Sequence, residues 1–384
     1  MGTKNKKKIL FVTESLACGG MERVLVTIAN ALDNNGFDVT IICYNSRDDL
    51  LQELNSSIHY VYIQRKKFRV LKKFPPLRDY YSYYKASWEH RVSATTLYRY
   101  YVGKEKYDVE IGFYRGPAIK IISGSTNHNS KKIAWVHTDF HLCDPQSIIC
   151  WFNNINEVKA AYGKMDRIVC VSEKVKQSFI ETIGYPDKTC SIYNMISAKR
   201  IIELSKEKCP ILKKKFTIVT VGRLIPDKCH MKLLSATKKL INEGYNFDVW
   251  IIGSGRCEDD LINYCVQNEL RNVTFTGMQD NPYKYIKEAD VFALTSRREG
   301  FAIVIPEAMA CGLPVLSTEC TGPTEVLGGG EYGLLVENSY DGVYNGMKLL
   351  LDDSNILKHY RKKSKDRFMD FDVSVVIPKI IDLL

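Results

Sequence analysis

Apolar and polar positions along this chain alternate between two rhythms. Residues 8–44 begin with the solid apolar block KILFVT, pass through CGG, continue as the amphipathic stretch MERVLVTIANALDNNG and close on a second block, DVTIICY. A short apolar run reads as a buried strand and the longer striped run as a helix, so the order is strand, helix, strand. Parallel strands joined by a right-handed crossover follow from that order. The rhythm restarts at 215 with KFTIVTVG and the helix LLSATKKLINEG, then DVWIIG, DDLINYCVQNEL, VTFTG and DVFALTS. Two such openings predict an α/β protein of two doubly wound, Rossmann-like domains. The break falls near Asn194 to Ser205, between the short strand CSIYN and the lysine-rich KEKCPILKKK. We place the first domain at 1–197 and the second at 198–365, with a terminal helix in 366–384 that packs back toward the first domain. Pro378 must start or kink that helix.

One segment, an insertion at about 64–100, breaks the alternation. Residues 64–78, QRKKFRVLKKFPPLR, carry seven Lys or Arg and no acid, and four tyrosines and a tryptophan follow within 80–90. A solvated helical excursion explains this composition. An anionic membrane surface touching residues 64–88 explains it too, with cations on headgroups and aromatics at the interface. Single-stranded nucleic acid ranks below both, because no nucleic-acid module surrounds the segment, and we expect no nucleic-acid partner.

The bulk numbers narrow the class. A chain of 384 residues exceeds one ordinary core, and 45% apolar residues are enough to fold it. A formal charge of +10 favours an anionic partner without choosing among them. The twelve cysteines stand singly with no CxxC pair, which fits reduced thiols in the cytoplasm better than a disulfide framework. The start, MGTKNKKKILFVTESL, is too short in apolar residues for a signal peptide, and no later run suits a membrane span. We therefore expect a cytoplasmic protein whose contact with the inner face of the cell membrane, if made, is peripheral.

Candidate chemistry gathers where strands end. In VGRLIPDKCHMKLL, residues 221–234, Gly222 permits a tight exit from a strand, and Arg223 and Lys228 precede the next helix. Lone cations in a basic protein are ordinarily solvated. A pair at the carboxyl edge of a parallel sheet can instead hold a diphosphate, helped by the unpaired N–H groups of a helix start. Ser254 and Gly255 in IIGSGRCEDDL form a second, weaker phosphate-facing turn. The stretch SRREGFAIVIPEAMACGLPV, residues 296–315, sets Glu299 and Glu307 eight positions apart around a strand-to-helix turn. Such carboxylates can accept hydrogen bonds from vicinal diols of ribose or a hexose, or can merely cap the helix and pair with a nearby Arg.

Taken together, GRLIPDK (222–228), EADVFALTSRREGF (288–301), the E-x7-E pair and EAMACGLPVLSTECTGPTEVL (307–327) resemble the retaining nucleotide-sugar glycosyltransferases of GT-B architecture, in the large fourth family. GGMER (19–23) and AWVHTDF (134–140) fit less specifically. The resemblance implies two Rossmann-like domains facing across a cleft, with the donor on the second and the acceptor on the first. It implies that Arg223 and Lys228 bind the donor diphosphate, Glu307 the ribose and Glu299 the transferred sugar. Gly222 would sit beneath the diphosphate, as would Ser254 and Gly255, and Gly300 and the amides of Phe301, Ala302 and Ile303 would face sugar and phosphate. Met278 would lie against the base, Gly19 and Gly20 would let the first domain close over the diphosphate, and His137 would stand beside the sugar. No protein-bound metal or other cofactor is implied.

Three positions depart from the pattern: Asp227 where glutamate is usual, Cys229 where glycine is frequent, and Ser254 where an acid is common. Zinc at His137, His141 and Cys143 lacks a fourth ligand. The function expected is retaining transfer of a hexose or N-acetylhexosamine, from a uridine diphosphate sugar in preference to a guanosine one, to a saccharide acceptor, lipid-linked if the basic segment meets a membrane. The rivals are a GT-B epimerase or hydrolase and a noncatalytic binding module. A dinucleotide oxidoreductase is disfavoured, since CGGMER and GSGRCE both miss GxGxxG.

Overall fold

The computed structural model describes residues 6–63 and 87–384. Most of the basic and aromatic segment at 64–88 lies outside the described residues. Thirteen strands are described, in two sheets, and every pairing among them is parallel. The first sheet comprises β1 (Lys8–Thr13), β2 (Asp38–Cys43), β3 (His59–Tyr62), β4 (Val109–Gly112), β5 (Lys131–Val136), β6 (Arg167–Cys170) and β7 (Thr189–Ser191). The second comprises β8 (Phe216–Val221), β9 (Phe247–Ile252), β10 (Val273–Phe275), β11 (Val291–Leu294), β12 (Val315–Thr318) and β13 (Leu334–Val336). Central strands such as β1, β4, β11 and β12 are buried almost throughout, as solid apolar blocks must be when helices cover both faces.

Strand order explains where chemistry can gather. The first sheet runs β3-β2-β1-β4-β5-β6-β7 and the second β10-β9-β8-β11-β12-β13, so the order reverses between β1 and β4 and between β8 and β11. Loops leaving the carboxyl ends of such neighbours diverge to opposite faces and open a crevice. In the second sheet Val219 pairs with Phe292, which brings the loops at 222–229 and 295–303 out side by side. In the first, Val12 pairs with Gly112, so the loop before α1 (Gly20–Asn34) emerges beside Phe113.

Two compact units result, residues 1–193 with 377–384, and residues 194–376. The second core is built on α2 (His230–Asn242), whose Leu233, Leu234 and Leu240 are fully buried against Ile218, Val249, Ile251 and Val291. Truncating one of these leucines to alanine costs about 2–5 kcal/mol. Residues 194–197 join the second unit because Ile196 bridges to Asp372, and Asp372 Oδ2 accepts from Ala198 N at 3.0 Å. The last helix, here labelled α4 (Val373–Leu383), contains Pro378 in its interior, and its final residues from Ile377 belong to the first unit. There Lys7 Nζ donates to Leu384 O at 3.0 Å.

The described end of the insertion is occupied by packing. Tyr98 and Tyr101 of the helix Ala94–Tyr101 are buried, Tyr98 OH donating to Glu110 at 2.7 Å and Tyr101 OH to Glu89. No helix among the described residues is long and apolar enough to cross a membrane.

Candidate active site

The second unit's switch point carries most of the singled-out residues. Beyond β8 the chain makes a short turn, Pro226–Lys228, before α2. Its base is tightly built: Gly253 has φ +139°, and a Cβ there would stand 2.0 Å from Gly222 O. Leu224 is buried and donates its N–H to Ser254 O at 2.9 Å, while a Cβ on Gly255 would meet Leu224 O at 2.4 Å. The Ser254–Gly255 turn therefore abuts the cation-bearing loop. Cys229 has φ 49° and ψ 39°. An L-residue thus holds a left-handed backbone that is costly for it and freely open to glycine.

Lys228 reaches across to the neighbouring loop, where its Nζ donates to Glu299 Oε1. Both side chains are largely sheltered, at 16% and 14% exposure. The same Glu299 oxygen accepts from Ser296 Oγ at 2.7 Å. Arg223 is exposed and, among the described residues, holds no side-chain hydrogen bond or ion pair. The two loops are stitched together at several further points. Thr295 Oγ1 donates to Lys228 O at 3.1 Å and Cys229 O at 3.2 Å, and Arg297 N to Asp227 O at 2.8 Å. Asp227 accepts from Arg297 at 2.8 Å and pairs with Arg298 at 3.1 Å. Partial burial pushes its carboxyl upward, but these two guanidinium groups outweigh that and hold it below the usual aspartate range. Aspartate at 227 thus serves as a latch between the loops.

After Glu299 and Gly300, Phe301 and Ala302 are buried, and Ala302 has φ 62°, a left-handed non-glycine at the turn into α3 (Val304–Ala310). Close packing supports the turn: a Cβ on Gly322 would lie 2.7 Å from Phe301 N, and Gly322 N donates to Glu299 O at 2.9 Å. Ile303 is the N-cap of α3, and Glu307 lies in its first turn. Glu307 is only 7% exposed, and Oε1 accepts from Tyr283 OH at 2.9 Å. Met278, beside Gly277, is an exposed apolar side chain at 56%. Thus Lys228 and Glu299 are brought into direct contact, the Ser254–Gly255 turn is brought against their loop, and Glu307 is buried with a tyrosine partner.

The first unit holds the remaining candidates. Gly19 is the N-cap of α1 and Gly20 its exposed first residue. His137 follows β5 with its ring against Phe113, centroids 4.6 Å apart. Both ring nitrogens are buried without a hydrogen-bond partner. Burial drives the imidazole down to about 3, and the Phe113 backbone, which favours the charged form, offsets this only in part. His137 is therefore neutral at pH 7. Among the described residues no set of zinc ligands gathers around it. His141 pairs with Glu181 at 2.9 Å, Cys143 accepts from Arg115 at 3.0 Å, and no group of three metal-ligating side chains occurs among the described residues.

Sequence reasoning does not single out Ser296, Tyr283, Thr295 or the Asp227 latch. Ser296 has a local signal, standing three residues before Glu299. Tyr283 is 24 positions from its partner and has none.

Comparison with known proteins covers nearly the whole chain. Residues 18–200 match a family described as Glycosyltransferase Family 4, and residues 201–367 one described as Glycosyl transferases group 1. A Campylobacter jejuni protein named N-acetylgalactosamine-N,N'-diacetylbacillosaminyl-diphospho-undecaprenol 4-alpha-N-acetylgalactosaminyltransferase is 28% identical over 369 residues, 93% of this chain and 94% of that one. An Escherichia coli UDP-Gal:alpha-D-GlcNAc-diphosphoundecaprenol alpha-1,3-galactosyltransferase is 23% identical, covering 99% of this chain and 97% of its own. Among solved structures, Anabaena HepE in complex with UDP and glucose superposes with a TM-score of 0.72 at 20% identity, over 98% of this chain and 99% of that one.

Proposed function

Because this chain belongs to glycosyltransferase family 4 and is a GT-B glycosyltransferase, we propose that it transfers a hexose or N-acetylhexosamine from a uridine diphosphate sugar to a lipid-linked saccharide with retention of anomeric configuration. Two relatives whose names specify diphospho-undecaprenol acceptors support the acceptor class, and a neighbour crystallised with UDP supports the nucleotide. The observation that carries the reading is the Lys228–Glu299 contact at the β8/β11 switch point, an ammonium and a carboxylate sharing one sheltered site. A sugar diphosphate presents the complement of that pair, anionic oxygens beside hydroxyls.

In this reading Arg223 and Lys228 hold the diphosphate and stabilise the charge it gains as the anomeric carbon–oxygen bond breaks. Glu299 accepts hydrogen bonds from the sugar hydroxyls and Glu307 from the ribose. Gly300 to Ile303 line the sugar and phosphate, and Met278 packs against the base. Neutral His137 stands beside the sugar and adds no positive charge there. The acceptor oxygen bonds to the anomeric carbon on the face the phosphate leaves, and the acceptor's proton passes to the departing phosphate oxygen. Two cations supply the charge stabilisation, so no metal is required. Residues 64–88 hold the enzyme peripherally on an anionic membrane.

The test is transfer from an alpha-linked UDP-sugar panel to an undecaprenyl diphosphate saccharide, with the product linkage read by NMR. An alpha product is expected. A beta product overturns retention, and no UDP release from any UDP-sugar overturns the donor. Flotation with vesicles containing anionic lipid tests the membrane contact. A protein that ignores them, with or without residues 64–88, has no such surface.

A further inference from the structure

Asn338 lies beyond β13, outside both loops of the candidate site, yet its side chain holds the backbone of one of them, 295–303, together with that of Glu319 just past β12. Nδ2 donates to Ser296 O at 3.2 Å, Arg297 O at 3.3 Å and Glu319 O at 3.0 Å. Oδ1 accepts from Lys232 Nζ, which also donates to Asn338 O at 3.3 Å. Lys232 belongs to the first turn of α2, the helix into which the Lys228 loop leads.

The route from that amide to the acid is short. Ser296 is fully buried, its carbonyl also accepts from Thr318 Oγ1 at 2.7 Å, and its hydroxyl donates to Glu299 Oε1 at 2.7 Å. An NH2 group has two hydrogens for three carbonyls, so its position is set by all of them at once. An ammonium on the amide oxygen draws electrons away from nitrogen and strengthens those donations. The arrangement joins α2 to the 295–303 loop and to the end of β12 through one side chain.

We propose that Asn338, polarised by Lys232, is a positioning residue for Glu299: it fixes the Ser296–Arg297 backbone and thereby the reach of the carboxylate that grips the transferred sugar. It does not touch the donor. The inference rests on the reading of Glu299 as the sugar-binding acid, and its test separates the two.

Calorimetric titration with UDP and with UDP-N-acetylgalactosamine measures what the sugar adds to binding. Asn338→Ala, and independently Lys232→Met, should each lower affinity for the UDP-sugar relative to UDP by about tenfold, the scale of one lost hydrogen bond, with UDP affinity itself nearly unchanged. Amide hydrogen exchange at 296–301 should quicken in both variants, a readout that requires no ligand. Asn338→Asp, which keeps a partner for Lys232 but loses the donors, should behave like alanine. A wild-type sugar increment and wild-type exchange in Asn338→Ala overturn the inference. So does a parallel loss of UDP affinity, UDP-sugar affinity and melting temperature, which marks a purely structural tie. A wild-type increment in Glu299→Gln overturns the underlying reading instead.

Discussion

Replacing Glu299 should tighten the grip on a diphosphate while weakening catalysis. In the structure the ammonium of Lys228 is engaged by Glu299, and the pair is sheltered at 16% and 14% side-chain exposure. An incoming diphosphate must draw Lys228 from that partner, so the contact subtracts from its binding energy. A charge-assisted hydrogen bond of this kind contributes about 1.5–3 kcal/mol. Glu299→Ala removes the competitor, and affinity for inorganic pyrophosphate should rise by roughly ten- to a hundredfold. Glu299→Gln keeps a neutral acceptor and forfeits only the charge, so about half that free energy, or roughly three- to tenfold, is expected. Titration calorimetry with pyrophosphate at low ionic strength is the assay, because it needs neither base nor sugar and avoids screening. Sugar transfer by the same variants should fall, since the acid that holds the hydroxyls is gone. Equal or weaker pyrophosphate binding in both variants would refute the competition and show that Glu299 instead aims Lys228 at the phosphate.

Three further outcomes follow from residues around the same strands. Arg223→Ala and Lys228→Ala should each lower transfer by roughly tenfold to several hundredfold with the fold intact; wild-type rates in either would mean the diphosphate lies elsewhere. Cys229→Gly should raise the melting temperature by about 1–3 °C, because the left-handed backbone at φ 49° costs an L-residue about 1–2 kcal/mol and glycine's flexibility returns part of it; a lowered temperature refutes this. His137 and His230 are pushed down by burial to about 3 and about 4, His230 also by the Lys228 charge, so both sit below their unfolded values. Their stabilising contribution is complete above about pH 6.5 and is lost as pH falls toward those values, at no more than about 1.4 kcal/mol per pH unit for each group. Urea unfolding at pH 7 and pH 5 should show the loss, and His137→Phe should reduce it; an unchanged slope in that variant contradicts the role given to burial. For the same reason transfer should show no ionisation near pH 6.5 assignable to His137.

What is legible in the sequence is what a local rhythm can encode. Solid apolar blocks such as KILFVT and DVFALTS announce strands buried on both faces, and their alternation with helices announces parallel sheets. Lys228 and Glu299 can be nominated because each follows a strand end, but their meeting depends on β8 lying next to β11, a pairing between residues more than seventy positions apart. Spacing alone does not contain that neighbour relation. Cys229 stands as a departure from the family pattern, yet the backbone there is left-handed all the same, because the closure of the turn, and not the residue's own preference, sets its conformation. His137 is nominable by its place after β5. Its neutrality comes from complete burial, with the Phe113 ring against it, which is a property of packing. Asn338 gives no signal at all, since its partners lie from 19 to 106 positions upstream.

The last helix bears on how the protein is made. Residues 377–384 are part of the first unit, where Leu384 O meets Lys7 Nζ, although everything from 194 to 376 is synthesised in between. On the ribosome, the half of the protein that emerges first lacks that piece until translation has passed through residues 194–376. Completion of one domain before the next begins, the ordinary course for multidomain chains, therefore leaves the first unit without residues 377–384, which join it across the whole length of the second.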